Sequence, residues 1–364
     1  MKILMITNNT SGGMVHYTSQ LANSLSENDS VTVVAPIGLD EKYFSDRINI
    51  KTMKMGNVKK NFLIDTLIFT RLLDFKNMIY KENPDIIHFQ ECPLWIAPLL
   101  PSLSKFPIIT TKHDTNPHPG TRVFDQILSK HIYTKYSDSI IVHGEKAKQD
   151  INTYKKCFVI PHGDYSFFLK YIDQNIKEEN SILFFGRIEK YKGLEYLFES
   201  MPLVKKEISN IKLIVAGSGN LDDYHNLYDN LSDIEIHNRY IKDEEIPIFF
   251  QRSKIVVLPY IEGTQTGIIP IAYAFKKPVI VTNVGSIPEV VEEGNTGFIV
   301  PPRDPDALAH AIIRLFNDES LCKQMGINAY IKMNNELSWE SIAKKTISAY
   351  KFTIQNHYSM DYHT

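Results

Sequence analysis

Arg187, Lys192 and Glu262 are the charged side chains best placed to do chemistry in this 364-residue sequence. Ile182–Phe185 is a short apolar run ending at Gly186, followed by Arg187 and then Lys192-Gly193 before a helical pattern. Two cations flanking one strand-to-helix turn can converge on a diphosphate, the arginine as a fork and the lysine as a point charge. An isolated pair at this spacing would be two solvated charges, but Gly186 and Gly193 mark a tight loop and a second anion site lies downstream. In VVLPYIEGTQTGIIPIAYAFKKPVIVTNVGSIPEVVEEGNTGFIVPP (256–302), the apolar runs Val256–Leu258 and Pro278–Val281 each lead into a loop of glycine, polar residues and carboxylates. Thr266-Gly267 opens a small and apolar segment long enough for a buried helix. Parallel sheets bind ligands beyond the carboxyl ends of their strands, where helix N-termini aim N–H groups at anions. The two stretches read as halves of one site for a phosphorylated ligand.

The first half of the chain offers weaker signals. Ser11-Gly12-Gly13 follows a strand and precedes a helix, where glycines let backbone approach a phosphate; a plain tight turn explains them equally well, and no G-x-G-x-x-G is present. His113-Asp114 follows the apolar run Ile108–Thr110, a position where ligands bind. A metal held by His113 and His118 lacks a third ligand at sensible spacing. Asp304-Pro305-Asp306 spells D-x-D but directly precedes ALAHAIIRLF, so Asp304 as N-cap with Pro305 at the first helical position accounts for it without a metal. Lys51, Lys54, Lys59 and Lys60 precede the apolar window Phe62–Phe75. A basic loop there could rest on an anionic membrane or hold a lipid-pyrophosphate, although a solvated loop beside a core helix is the simpler reading.

Strand-like runs alternate with helical patterns throughout, which implies two parallel doubly wound sheets. The strands are expected at Ile3–Ile6, Val31–Ala35, Ile86–Phe89, Ile108–Thr110, Ser139–Val142 and Phe158–Ile160, then at Ile182–Phe185, Lys212–Ala216, Glu235–His237, Val256–Leu258, Pro278–Val281 and Phe298–Val300. Helices are expected over Met14–Leu25, Phe62–Tyr80, Arg122–Tyr136 and Trp339–Tyr350, with the tail NHYSMDYHT frayed. The polar stretch Asp164–Asn180 has no strand pattern and reads as a linker, giving domains at 1–165 and 166–338.

Composition narrows the field. The net charge of −2 hides an asymmetry: residues 1–170 carry 20 Lys+Arg against 16 Asp+Glu, and residues 171–364 carry 20 against 26. That is too little for a nucleic-acid partner, but it suits a first half facing anionic material. Cys92, Cys157 and Cys322 are scattered and odd in number, which favours a reducing compartment. MKILMIT lacks the apolar core of a signal peptide, and FLIDTLIFTRLLDF (62–75) holds three charges, so a cytoplasmic protein is expected, at the inner face of the membrane if the lysine loop engages lipid.

The phrases FFGRIEKYKGLEYL, IVAGSGN, the 256–302 run and PPRDPDALAHAI, with IPHG (160–163), KHD (112–114) and SGG (11–13) upstream, resemble the retaining glycosyltransferases of family 4. The resemblance covers most of the chain. It implies the α/β GT-B fold, two Rossmann-like doubly wound domains facing a cleft, with a terminal helix at about 339–355 returning to the first. It implies transfer of a sugar from a nucleoside diphosphate sugar to a glycan or lipid-linked acceptor, without a metal or other cofactor and with peripheral membrane contact as a possible accompaniment. Arg187, Lys192, Gly12, Gly13, Gly217, Thr266 and Gly267 would bind the donor. Glu262 and His113 would act at the sugar, while Met14, Asp114 and His118 would face the acceptor. The family's Glu-x7-Glu motif is incomplete: eight residues after Glu262 stands Pro270, and alignment backwards from KKP puts Ile271 where the second Glu belongs. A GT-B sugar-nucleotide epimerase and a non-catalytic sugar-nucleotide or polysaccharide binding module are the competing readings.

Overall fold

The computed structural model describes residues 1–55, 69–115, 123–151, 153–229 and 231–361. The chain divides into two units, Met1–Gly163 with Trp339–Thr364, and Asp164–Ser338. Each is built on one all-parallel sheet.

In the first unit seven strands are β1 (Lys2–Ile6), β2 (Ser30–Pro36), β3 (Asn49–Met53), β4 (Ile86–Phe89), β5 (Ile108–Thr111), β6 (Ser139–Val142) and β7 (Lys156–Val159), ordered β3-β2-β1-β4-β5-β6-β7. β1 is an interior strand, with Ile3 beside Val31 on one side and Ile86 on the other. Successive side chains point to opposite faces, so Ile3 and Met5 enter one core with Tyr17, Trp339 and Tyr350, while Leu4 and Ile6 enter another with Phe75 and Trp95. Burial on both faces is why these strands are apolar throughout instead of alternating.

β3 escaped the sequence reading. It is an edge strand whose residues NIKTM are polar, half-buried and paired only with β2. Its Lys51 forms an ion pair with Glu82, which removes it from the lysine cluster; Lys54 is exposed, and Lys59 and Lys60 lie outside the described residues. β7 begins two residues earlier than expected, and the helix expected over Phe62–Tyr80 is seen as Phe69–Glu82, its earlier part lying outside the described residues.

The second unit has six strands, β8 (Ser181–Phe185), β9 (Lys212–Ala216), β10 (Ile234–His237), β11 (Ile255–Leu258), β12 (Val279–Thr282) and β13 (Gly297–Val300), ordered β10-β9-β8-β11-β12-β13. The same alternation sends Leu183 and Phe185 to one core and Ile182 and Phe184 to the other. The helix Pro305–Asn317 starts as expected, the Asp304 carboxylate accepting from the Ala307 N–H at 2.9 Å. The stretch read as a linker is not one. Tyr165 and Phe168 are buried in the second unit's core, the Asp164 N–H donates to the Leu337 carbonyl at 2.8 Å, and Glu179 pairs with Arg252. The aromatics of YSFF outweigh the polar residues around them.

The last helix runs Trp339–Asp361, well past the point where fraying was expected. It is anchored inside the first unit: the Tyr350 hydroxyl lies 2.6 Å from Nδ1 of His88, a fully buried residue of β4. No helix among the described residues is long and apolar enough to cross a membrane. The Tyr350 contact gives a graded prediction. Tyr350→Phe loses one hydrogen bond and should cost about 1 kcal/mol, because Gln90 still donates to the same ring nitrogen. Tyr350→Ala empties a buried aromatic site and should cost about 3–5 kcal/mol. Urea denaturation of both variants measures the difference, and equal losses would contradict the assignment.

Candidate functional site

Both units gather polar side chains at the carboxyl edges of their sheets. In the second unit the loops there meet backbone to backbone. A Cβ on Gly217, the residue after β9, would stand 1.9 Å from the Gly186 carbonyl oxygen, and one on Gly193 would stand 2.1 Å from that of Pro259. Only glycine permits either approach, so loop packing alone accounts for Gly217. The loop after β11 is pinned further by Ile261, whose N–H donates to the Tyr191 carbonyl at 2.8 Å.

Lys192 is buried by this packing. Its ammonium donates to the Tyr260 hydroxyl at 2.8 Å and lies 4.8 Å from that ring's centroid. Among the described residues no carboxylate pairs with it. A buried charge facing only a neutral hydroxyl is costly, by several kcal/mol, unless an anion joins it. The Tyr260 hydroxyl also lies 3.4 Å from Thr266 Oγ1, which accepts from the Ile268 N–H at 3.2 Å. Lys192 and Thr266, and through Thr266 the start of the helix Ile268–Ala274, are therefore joined as the sequence suggested, by a tyrosine that it did not single out. Nothing in the residue pattern marks Tyr260, which follows Pro259 at the end of an apolar run.

Arg187 and Glu262 do not join this cluster. The Arg187 side chain is 63% exposed, with its guanidinium 3.7 Å from Glu189. Glu262 is exposed, and its N–H donates to the Tyr191 carbonyl at 3.3 Å.

In the first unit Gly12 caps the helix Gly13–Leu25 with φ 78°, its carbonyl accepting from Val15 and His16. No side chain caps this helix and no acid occupies its first turn, which leaves its N–H groups open to an anion. Met14 is half-buried.

Past β5, β6 and β7 stand His113, His143 and His162, with Tyr17 edge-on to all three at centroid distances of 4.7, 5.5 and 5.0 Å. Nε2 of His143 lies 2.8 Å from Nδ1 of His113. Burial drives the His88 and His162 rings down to about 3 and lowers His113 and His143 as well, so all four are neutral. Asp114 is half-buried, and its charge favours the charged forms of Lys130 and His143. His118 lies outside the described residues. Glu91, two residues past β4, takes a hydrogen bond from Asn9 and is held above the usual carboxylate range by burial. His143 and Glu91 were missed by sequence reasoning. The usable signal was position, a polar residue at or next to the end of a buried strand.

Comparison with known proteins agrees with this layout. The signature of Glycosyltransferase Family 4 matches residues 11–163, and that of glycosyl transferases group 1 matches residues 170–332. An uncharacterized glycosyltransferase of Methanocaldococcus jannaschii is 30% identical over 281 residues, 73% of this chain and 74% of that one. The chain belongs to the family 4 glycosyltransferases.

Other relatives of this glycosyltransferase match in part. The capsular polysaccharide biosynthesis glycosyltransferase CapM of Staphylococcus aureus is 33% identical over 171 residues, 45% of this chain and 44% of its own length. A second uncharacterized glycosyltransferase of M. jannaschii, 30% identical, is matched over 49% of this chain and 46% of its own length. Among solved structures, sucrose-phosphate synthase from Thermosynechococcus elongatus shares the fold with a TM-score of 0.76 at 18% identity, covering 98% of this chain and 99% of that one. Anabaena HepE, solved in complex with UDP and glucose, also scores 0.76, at 15% identity, over 96% of this chain and 99% of its own. The shared architecture is the GT-B fold of two α/β units.

The neutral histidines of this glycosyltransferase carry a pH signature. Their folded pKa values lie below the unfolded value of about 6.5, so as pH falls below 6.5 the unfolded chain binds protons first and stability is lost down to about pH 3. Each such ring costs about 1.4 kcal/mol per pH unit in that window; Glu91 opposes this, but as a single group. In the second unit the guanidinium of Arg252 holds Glu235 down to about 2, which costs stability only below the ordinary carboxylate pKa of 4.5. Both tryptophans, Trp95 and Trp339, lie in the first unit, so their fluorescence reports it alone. The urea midpoint read by tryptophan should drop clearly between pH 7 and pH 5, and a flat midpoint would refute the account.

Proposed function

We propose that this family 4 glycosyltransferase moves a sugar from a nucleoside diphosphate sugar to an acceptor hydroxyl with retention of configuration, in the assembly of a polysaccharide or glycolipid. The observation that carries the reading is the buried, carboxylate-free ammonium of Lys192 beyond the ends of β8 and β11. As the nucleotide leaves, negative charge builds on its β-phosphate. A preorganised cation in a dry site stabilises that charge with little reorganisation. Thr266 and the N–H groups near Gly267 add dipoles of the same sense. On this reading no metal is needed. Glu262, whose carboxylate has no partner among the described residues, is free to hold sugar hydroxyls, and His113 accepts from another.

The acceptor is assigned to the first unit, near Met14 and Asp114. The names of two relatives support the substrate classes: HepE was crystallised with UDP-glucose, and CapM serves capsular polysaccharide biosynthesis. The missing second Glu, replaced by Pro270 or Ile271, removes the family's ribose contact and leaves the base open.

Incubation with UDP-, GDP- and ADP-sugars and analysis of products tests the reading. A transferase releases nucleoside diphosphate in step with a glycosylated product, an epimerase returns an isomeric nucleotide sugar, and a binding module does neither. Lys192→Ala should lower turnover roughly 10²-fold or more, as for loss of one charge-stabilising donor. Near-normal turnover by that variant would remove Lys192 from the phosphate site.

A further inference from the structure

Past the ends of β8 and β11, three side chains of the second unit form a run of hydrogen bonds whose direction their chemistry fixes. An ammonium has protons to give and no lone pair, so Lys192, 2.8 Å from the Tyr260 hydroxyl, is the donor there. The phenol keeps one hydrogen of its own. Among the described residues the other side-chain atom within bonding distance of it is Thr266 Oγ1, at 3.4 Å. Thr266 could donate in that contact only by pressing a second positive hydrogen onto an oxygen that already faces an ammonium. The proton therefore runs from Tyr260 to Thr266, the sense in which the charge of Lys192 polarises the phenol. Thr266 Oγ1 also accepts from the Ile268 N–H at 3.2 Å, so both of its lone pairs are engaged. Left over are the Thr266 hydroxyl proton and two protons of the ammonium. Everything the three side chains still have to offer is a proton, which suits an oxyanion.

Tyr260 is also held in place. It is 2% exposed, its ring meets Tyr191 edge-on at a centroid distance of 6.2 Å, and its carbonyl accepts from the hydroxyl of Thr282 on β12. Lys192 is confined as well: a Cβ on Gly186 would stand 3.0 Å from its nitrogen. A phenylalanine at 260 would fill the same space. It would leave the ammonium without a hydrogen-bond partner among the described residues and the Thr266 hydroxyl free to rotate.

We propose that Tyr260 is a positioning residue for the diphosphate of the nucleotide: its hydroxyl fixes the Lys192 ammonium at the strand ends and turns the Thr266 proton outward, so both stand ready for a phosphate oxygen. The inference rests on the transferase reading for its ligand, while the direction of the hydrogen bonds stands on the second unit alone. Tyr260 acts through Lys192 and Thr266, and its contribution is that neither has to be reordered when the phosphate arrives.

Calorimetric titration of the full chain with UDP, GDP and ADP tests it. For whichever diphosphate the wild type binds, Tyr260→Phe should lose roughly tenfold or more in affinity, the size expected for hydrogen bonds that involve a charged group. In a Lys192→Ala background the same change should cost less than about threefold, because the partner it positions is gone. Thr266→Val should also lose roughly tenfold, and Thr266→Ser, which restores the hydroxyl, should recover most of that loss. A merely structural tyrosine would cost as much with Lys192 absent as with it present, and serine and valine at 266 would then bind alike. Either of those results, or wild-type affinity in Tyr260→Phe, overturns the proposal and leaves the diphosphate reading standing. If the wild type binds none of the three diphosphates, that reading fails and the role of Tyr260 falls with it.

Discussion

The close approach of one loop's backbone to another's is the constraint on which the second unit's site depends. Parallel strands deliver all their carboxyl ends to one edge, so several loops must share a narrow strip. Gly217 on Gly186 and Gly193 on Pro259 solve the crowding by removing side chains at the crossings. Beside the crossings lies Lys192, a buried residue whose ammonium donates to the Tyr260 hydroxyl. Charges held in such a packed strip act through a medium that screens less than water. The glycines thus determine how strong the electrostatics of the site can be.

The first unit's edge is built on the opposite principle. Its buried polar groups include several histidine rings, with His143 between the Ile160 carbonyl and His113.

How much of this was legible depended on whether the chemistry lay in residue type or in partnership. The strands of both sheets were readable because burial on both faces forces uninterrupted apolar runs. β3 was not, since an edge strand such as NIKTM carries no such demand. Lys192 and Thr266 were singled out as residues of glycine-marked strand-to-helix turns, and the structure brings both to the Tyr260 hydroxyl. Tyr260 could not, because a tyrosine after a strand is usually core, and its role arises only from a lysine 68 residues away. The same holds for His143, which gains meaning from a carbonyl and a second ring rather than from any local pattern. Arg187 shows the converse: the residue type suits a diphosphate, yet its side chain stands exposed beside Glu189.

The helix Trp339–Asp361 belongs to the unit that the chain begins, not to the one it has just completed. Trp339 fills the space beside Gly163, where a Cβ would come within 2.5 Å of its ring, and Tyr350 reaches the buried His88. On the ribosome, therefore, the order of synthesis and the order of completion are reversed. The strands of the first unit emerge early but must wait, with part of one face of their sheet uncovered, while the second unit is made and can fold as a continuous segment. Only the stretch translated after the second unit completes the first core, so the wait exposes apolar surface to aggregation for a time set by the length of the insertion.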